Sequence, residues 1–133
     1  MSSPAPLVLL VEDDADTAAL YQALLKMEGM EVVTCTRGKE ARAWCQRATR
    51  TPDLLVIDVA LPDTSGLDLC REFLAWAWKA RRPRVMVLSA HGDPRMASLS
   101  RKAGASVFLD KLKDIGEFVL SAKRLLSDTP GFQ

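Results

Sequence analysis

Short apolar runs alternate with amphipathic stretches along almost the whole chain. The first run, Leu7–Val11, is apolar at every position, which is typical of a strand covered on both faces. Further runs of strand length follow it at intervals that leave room for a helix. The predicted strands are Leu7–Val11, Glu31–Cys35, Leu54–Ile57, Arg84–Leu88 and Val107–Leu109.

Each predicted strand is followed by apolar residues at the spacing of a helix. In the first of these stretches Leu20, Leu24 and Met27 define the apolar face, and Gly29 lies where the helix should stop. The predicted helices are about Asp14–Glu28, Ala41–Ala48, Ser65–Lys79, Pro94–Ala103 and Ile115–Leu126.

Strands that alternate with helices in this way predict an α/β fold with a parallel sheet. Each parallel crossover needs a helix, and nearly all such crossovers are right-handed, so helices cover both faces of the sheet. We therefore predict a doubly wound (βα)5 three-layer sandwich with a five-stranded parallel sheet. Ligands of such folds bind beyond the carboxyl ends of the strands, so the residues that follow each strand are the candidates for a functional site.

The residues at these strand ends carry reactive side chains. Clustered carboxylates resist ionisation unless a cation bridges them or they share protons. Mg2+ takes carboxylate oxygens and leaves room for phosphate oxygens, and an ammonium with a hydroxyl can stabilise a transferring phosphoryl group. The side chains at these strand ends together predict a carboxylate that can be phosphorylated. The acidic residues alone could instead be solvated groups at the start of a helix. The strand-end residues are Glu12, Asp13, Asp14, Asp58, Ser89 and Lys111.

Four segments resemble the motifs of response-regulator receiver domains of two-component signal transduction. In chain order they are LLVEDD (Leu9–Asp14), LLVIDVALPDTSG (Leu54–Gly66), VMVLSA (Val85–Ala90) and AGASVFLDK (Ala103–Lys111). Each motif is weak alone, but four in register are specific. The resemblance covers residues 7–126 and implies the flavodoxin-like strand order 2-1-3-4-5. Residues 1–6 would then be a leader, and residues 127–133 a tail or the start of a linker.

The resemblance implies a phosphoacceptor and a metal site. It makes Asp58 the phosphoacceptor, and Glu12 and Asp13 the acidic pair that binds Mg2+ together with Asp58 and the backbone carbonyl of Ala60. Asp14 lies one place beyond the pair, and we expect it to serve the start of the first helix.

The resemblance also implies a conformational switch. Ser89 would hydrogen-bond the phosphoryl group, Lys111 would pair with it, and Phe108 would change rotamer as the Ser89 hydroxyl shifts. Packing alone is an equally good interpretation of Phe108. Activation would be a population shift that is read on the fourth helix, fifth strand and fifth helix, a surface through which a homodimer could also form.

The sequence departs from the family pattern after Lys111. The family usually has a proline with a cis peptide there, whereas this chain has Leu112. A cis bond before a non-proline residue costs about 2.5–4 kcal/mol, so we expect a trans bond or a strained bond held by the phosphate site. In the family, the positions of Ala60 and His91 tune hydrolysis of the phosphoryl group; His91 is expected to be a solvent-facing loop residue.

Composition narrows the remaining possibilities. The 133 residues fit one domain, and 18 basic against 17 acidic residues leave a formal charge of +1, too little to attract nucleic acid or an anionic membrane. The chain shows no export signal and no apolar stretch near the ~20 residues of a spanning helix.

Cys35, Cys45 and Cys70 lack metal-site spacing and are expected to be buried, reduced thiols in the cytoplasm. Trp76 and Trp78 should pack on the flanks of the third helix.

The leading hypothesis is a signalling receiver. It would accept a phosphoryl group from a sensor histidine kinase or a phosphotransfer protein, control an output domain or a downstream protein, and dephosphorylate itself, with no other enzymatic activity. The alternatives are a constitutive interaction module on the same fold, which Leu112 favours, and a flavin-binding domain, which the acids Glu12–Asp14 disfavour.

Overall fold

The computed structural model describes residues 4–90, 92 and 94–127, in which strands and helices alternate. The strands are β1 (Leu7–Val11), β2 (Glu31–Cys35), β3 (Leu54–Asp58), β4 (Arg84–Ser89) and β5 (Val107–Asp110). The helices are α1 (Ala15–Met27), α2 (Gly38–Arg47), α3 (Gly66–Leu74), α4 (Pro94–Lys102) and α5 (Ile115–Ser127).

The strands form one parallel sheet in the order β2-β1-β3-β4-β5. The predicted fold class and strand order are therefore confirmed. The two central strands β1 and β3 are buried at every position, as their continuous apolar sequences predict. Within the described residues no helix is long and apolar enough to cross a membrane.

Alternate residues of each strand face two separate apolar layers. Val8 and Leu10 of β1 pack with α1 and α5, whereas Leu9 and Val11 pack with α2 and α3. A fully buried leucine contributes about 1.5–3 kcal/mol relative to an exposed one, so these layers supply much of the driving force for folding.

The buried face of α1 differs in part from the predicted one: of Leu20, Leu24 and Met27, Leu24 packs against the core and is partly buried. Ala18, Tyr21 and Leu25 face the core, whereas Leu20 and Met27 are 37% and 79% exposed. The segment is apolar on more than one side, so spacing alone does not determine which side faces the sheet.

The third helix is shorter than predicted: it ends at Leu74 instead of continuing to Lys79. The indole N–H of Trp78 donates to the carbonyl of Phe73 at 2.8 Å, which provides a partner for a carbonyl at the helix end. Trp76 and Trp78 therefore lie beyond the helix rather than on its flanks. Both still pack against the core, with ring centroids 5.4 and 5.9 Å from that of Phe73.

The three cysteines are buried and unpaired, as predicted. Burial raises the pKa of Cys35 and Cys70 to about 11 and that of Cys45 to about 12, so all three are thiols at neutral pH. Residues 1–3 of the predicted leader and residues 128–133 of the predicted tail lie outside the described residues, and so does His91.

Candidate functional site

Three charged residues converge at the carboxyl edge of the sheet. Lys111 follows β5, and its Nζ donates hydrogen bonds to Oδ2 of Asp58 and to Oε2 of Glu12, both at 3.0 Å. Nζ also lies 2.8 Å from Oε1 of Glu12. The ammonium group therefore bridges two carboxylates that are 99 and 53 residues away in sequence.

Strand register produces this convergence. Val11 pairs with Ile57, so Glu12 follows β1 beside Asp58, the last residue of β3. The backbone N–H of Glu12 donates to the carbonyl of Cys35 at 2.9 Å, which extends the β1–β2 ladder into the site.

The β5 side is held in the same way. Ser89 pairs with Asp110, and the backbone N–H of Lys111 donates to the carbonyl of Ser89 at 2.8 Å. Each site residue is therefore placed by a strand end instead of by a free loop.

The central carboxylates are withdrawn from water. Glu12 is fully buried and Asp58 is 3% exposed. Burial raises the pKa of Glu12, and the negative charge of Asp58 acts in the same direction, while the hydrogen bond from Lys111 opposes them. Burial alone would lower the pKa of Lys111, but its hydrogen bonds to Glu12 and Asp58 outweigh that effect and raise it. The site therefore keeps its ammonium charged beside the acids.

Three carboxylates offer a place for a hard cation. One oxygen each from Glu12, Asp13 and Asp58 lies within 4.8 Å of the others. Oε1 of Glu12 is buried and accepts no hydrogen bond from the described residues, although the charge of Lys111 is close to it. An all-oxygen set with an unsatisfied buried oxygen fits the ligand preferences of Mg2+.

Ala60 is exposed beside this carboxylate set. Its backbone N–H donates to Oδ1 of Asp58 at 3.3 Å. The ligand role predicted for its carbonyl stays a prediction.

Asp14 serves the helix, as predicted. It is the N-cap of α1, and its Oδ2 accepts the backbone N–H of Thr17 at 2.9 Å. Hydrogen bonds from Thr17 lower the pKa of Asp14. Its own backbone N–H donates to Oε2 of Glu12 at 3.0 Å, so the helix start and the acidic site are connected.

The two residues of the predicted switch, Ser89 and Phe108, lie on neighbouring strands of the sheet. Ser89 is buried at the end of β4, and Asp58 of the neighbouring strand pairs with Leu88 immediately before it. Phe108 is half-buried in β5, pairs with Val87 and packs against the apolar layer of α2 and α3. Its predicted change of rotamer stays a prediction.

The loop after Asp58 is closed tightly. The backbone N–H of Gly66 donates to the carbonyl of Val59 at 2.7 Å, and Ala60 bridges to Ser65. A Cβ at Gly66 would lie 2.1 Å from the backbone oxygen of Asp58. Glycine is needed here because the two backbone segments approach closely, and not because of a left-handed conformation.

The peptide between Lys111 and Leu112 is trans, in agreement with one of the two predictions. Leu112 has φ of 64°, in the left-handed region that disfavours side chains. Its backbone N–H donates to the hydroxyl of Tyr21 at 2.9 Å. The role of Tyr21 could not be predicted from the sequence: the missing proline implies a backbone N–H at position 112, but nothing in the sequence locates its partner.

Comparisons with known proteins agree with the fold. The family model of the response regulator receiver domain matches residues 8–123. The chain is 34% identical to the phosphate regulon transcriptional regulatory protein PhoB of Rhizobium meliloti and 36% identical to the transcriptional regulatory protein PrrA of Mycobacterium leprae, over 91% and 92% of its length. It spans about half the length of these curated relatives, 52% and 50% respectively.

Solved structures give the same result. The receiver domain of a signal transduction histidine kinase from Syntrophus aciditrophicus superposes with a TM-score of 0.83 at 29% identity, covering 97% of this chain and 96% of that one. A response regulator from Thermotoga maritima superposes with a TM-score of 0.80 at 26% identity, covering 92% and 98%. The chain belongs to the response-regulator receiver domain family.

Proposed function

We propose that this chain accepts a phosphoryl group on Asp58 from a sensor histidine kinase or a phosphotransfer protein, with Mg2+ bound by Glu12, Asp13, Asp58 and the carbonyl of Ala60. The observation that carries the proposal is the position of Lys111, whose ammonium group contacts Asp58 and Glu12 at once. Asp58 is buried at the strand end, where ligands of doubly wound sheets bind.

The charge of the site supports a divalent cation. Glu12, Asp13 and Asp58 bring three carboxylates together, and the ammonium of Lys111 contacts two of them, those of Glu12 and Asp58. An incoming phosphoryl group adds further negative charge, which would be repelled unless more positive charge were present. Mg2+, when bound, supplies that charge to the phosphoryl oxygens.

The side chains of this protein then perform the transfer largely by positioning. A carboxylate oxygen of Asp58 attacks the phosphorus atom, an O–P bond forms, and the N–P bond to the donor histidine breaks. The freed imidazole nitrogen keeps the bonding electron pair. Lys111 already contacts the attacking carboxylate of Asp58 and would balance the developing charge, and the Ser89 hydroxyl would hydrogen-bond a phosphoryl oxygen.

The phosphorylated state would end by hydrolysis. Water attacks phosphorus, inorganic phosphate leaves, and the carboxylate of Asp58 is restored. Ala60 is exposed next to Asp58, and its small side chain leaves a path for that water. No enzymatic activity beyond this self-catalysed cycle is proposed.

Phosphorylation would control a partner. Attraction of Ser89 and Lys111 to the phosphoryl group would favour one conformer of α4, β5 and α5, and Phe108 would change rotamer with it. The target would be an output domain or a separate downstream protein in the cytoplasm, and the same surface could support a homodimer. Direct contact with nucleic acid or a membrane by this domain is not part of the proposal.

Intact-mass spectrometry after incubation with acetyl phosphate and Mg2+ tests the chemistry. The wild type should gain one phosphoryl group, and Asp58→Asn and a chelator should each abolish the gain. Asp68→Asn is the matched control, because Asp68 is an exposed carboxylate on α3 that forms an ion pair with Arg71. Absence of any gain in the wild type would refute the proposal and favour a constitutive interaction module.

A further inference from the structure

The chain segment that carries Lys111 has an unusual backbone. Leu112 adopts φ of 64° although it is not a glycine, and its side chain is 48% exposed. A leucine reaches this conformation only when its surroundings compensate for the steric conflict. The contacts of Leu112 must therefore stabilise this conformation.

Tyr21 of α1 is the residue that holds it. The Tyr21 hydroxyl accepts a hydrogen bond from the backbone N–H of Leu112 at 2.9 Å, across 91 residues of sequence. Tyr21 is only 1% exposed, and its ring stacks on Phe118 of α5 with centroids 4.3 Å apart. The hydroxyl is thus fixed in place by core packing and acts as a rigid acceptor.

The N–H that Tyr21 accepts belongs to the peptide that joins Lys111 to Leu112. The other side of Lys111 is held by its own N–H, which donates to the carbonyl of Ser89 at 2.8 Å. The backbone of Lys111 is therefore fixed at both ends, and its Nζ reaches Asp58 and Glu12 at 3.0 Å. Loss of the hydrogen bond to Tyr21 would leave the backbone of Lys111 held on one side only, and its side chain would be less well oriented.

We propose that Tyr21 is a positioning residue for phosphotransfer, which acts by orienting the Lys111–Leu112 peptide so that Lys111 faces Asp58. The inference rests on the proposed phosphorylation of Asp58. It also explains how the chain functions without a proline at position 112: a leucine brings a backbone N–H that needs a partner, and the Tyr21 hydroxyl provides it.

The test compares rates of phosphorylation by acetyl phosphate, followed by intact mass, at a fixed Mg2+ concentration. Tyr21→Phe removes the hydroxyl but keeps the ring that stacks on Phe118. We expect it to slow phosphorylation about two- to tenfold, which is the effect of losing one neutral hydrogen bond. A thermal unfolding curve for each variant confirms that the protein is folded.

Two backgrounds separate positioning from general effects of the substitution. Leu112→Gly keeps the N–H, so Tyr21→Phe should still slow the reaction there. Leu112→Pro has no N–H to donate, and because its ring fixes φ at about −65° it also changes the local backbone; its own rate is therefore the reference, and Tyr21→Phe should make no further difference within that background. Amide proton exchange at Leu112, measured by NMR without any phosphodonor, should be about tenfold faster in Tyr21→Phe than in the wild type.

The outcomes are distinct. Slower phosphorylation in the wild-type and Leu112→Gly backgrounds alone, with faster amide exchange, supports the inference. Equal rates for wild type and Tyr21→Phe, or the same slowing in the Leu112→Pro background, would overturn it while leaving the proposed function intact. A wild type that takes up no phosphoryl group would overturn both, and would be recognised by its unmodified mass.

Discussion

The carboxylate of Asp63 caps the start of α2 from 25 residues away: its Oδ1 accepts the backbone N–H of Gly38 at 2.9 Å. Its Oδ2 accepts the N–H of Lys39 at 2.8 Å, and Arg37, the N-cap residue itself, makes no side-chain cap. Asp63 belongs to the loop that follows Asp58. The contact therefore ties the loop after Asp58 to the N-terminus of a neighbouring helix, where a negative charge is favoured.

This cap predicts a pH-dependent contribution to stability. Hydrogen bonds from Lys39 and Gly38 lower the pKa of Asp63 in the folded state. The contribution is therefore complete above the unfolded pKa, near 3.9, and is lost as pH falls through the lower folded value. Asp63→Ala should have a lower urea midpoint than the wild type at pH 6, and the difference should shrink towards pH 2.

Asp63→Asn is the control for charge. Its amide oxygen can still accept one hydrogen bond, but it does not titrate, so its stability deficit should not follow the same pH dependence. A deficit of Asp63→Ala that stays constant from pH 6 to pH 2 would contradict the titrating cap.

Mg2+ should stabilise the folded protein through the acidic site. A ligand that binds only the folded state adds RT ln(1 + [L]/Kd), about 1.4 kcal/mol at ten times Kd. We expect the thermal midpoint to rise with MgCl2 in the wild type. Asp13→Asn should abolish most of that rise, because Asp13 supplies one of the three clustered carboxylates. Without metal, Asp13→Asn should be at least as stable as the wild type, since it removes like-charge repulsion.

Ionic strength must be separated from metal binding. KCl at matched ionic strength should leave the midpoint almost unchanged, and Asp68→Asn, on the exposed surface of α3, should respond to MgCl2 like the wild type. An equal response of Asp13→Asn and the wild type would show that Asp13 does not take part.

Gly66→Ala should destabilise the loop after Asp58. The added Cβ would lie 2.1 Å from the backbone oxygen of Asp58, and a backbone atom cannot move aside cheaply. We expect a loss of roughly 1–3 kcal/mol in the free energy of unfolding, measured by urea titration, together with slower phosphorylation of Asp58.

Gly116→Ala is the matched comparison. Its Cβ would meet only the side-chain oxygen of Asp114, at 3.4 Å, and alanine is the better helix former by up to about 1 kcal/mol. It should be neutral or stabilising. If both substitutions had the same effect, the close approach at Gly66 would not be the cause.

The sequence predicts the sheet and its carboxyl edge well because both follow from local pattern. Glu12, Asp58 and Lys111 are each fixed by the end of an apolar run, so counting strands is enough to bring them together. The buried side of α1 was not predictable in this way. Apolar residues lie on more than one side of that helix. The side that is buried is the one that packs against α5, where the ring of Tyr21 stacks on that of Phe118.

The end of α3 and the partner of Leu112 share a different difficulty. Each depends on a hydrogen bond between a side chain and a backbone group: the indole N–H of Trp78 donates to the carbonyl of Phe73, and the backbone N–H of Leu112 donates to the hydroxyl of Tyr21. Such bonds follow no spacing rule in the sequence, and the second joins residues far apart in the chain. They become visible only when the helices and the sheet are assembled.

Leu112→Gly tests whether the backbone is strained in the segment that connects β5 to α5. Glycine adopts φ of 64° without a steric penalty, whereas the left-handed region costs other residues roughly 1–2 kcal/mol. Part of that gain is offset because glycine has more freedom in the unfolded chain. The leucine side chain is 48% exposed, so little apolar burial is lost. We therefore expect the free energy of unfolding to change by between zero and about +1 kcal/mol.

Leu112→Ala distinguishes strain from the loss of the side chain, because alanine removes the same apolar atoms beyond Cβ but keeps the steric conflict at positive φ. It should be less stable than Leu112→Gly, in contrast to an ordinary exposed position, where alanine is favoured over glycine. Chemical denaturation of the three proteins at one pH measures the order directly. If Leu112→Ala were more stable than Leu112→Gly, the left-handed backbone at Leu112 would carry no strain. The hydrogen bond to Tyr21 would then only provide a partner for the N–H of Leu112.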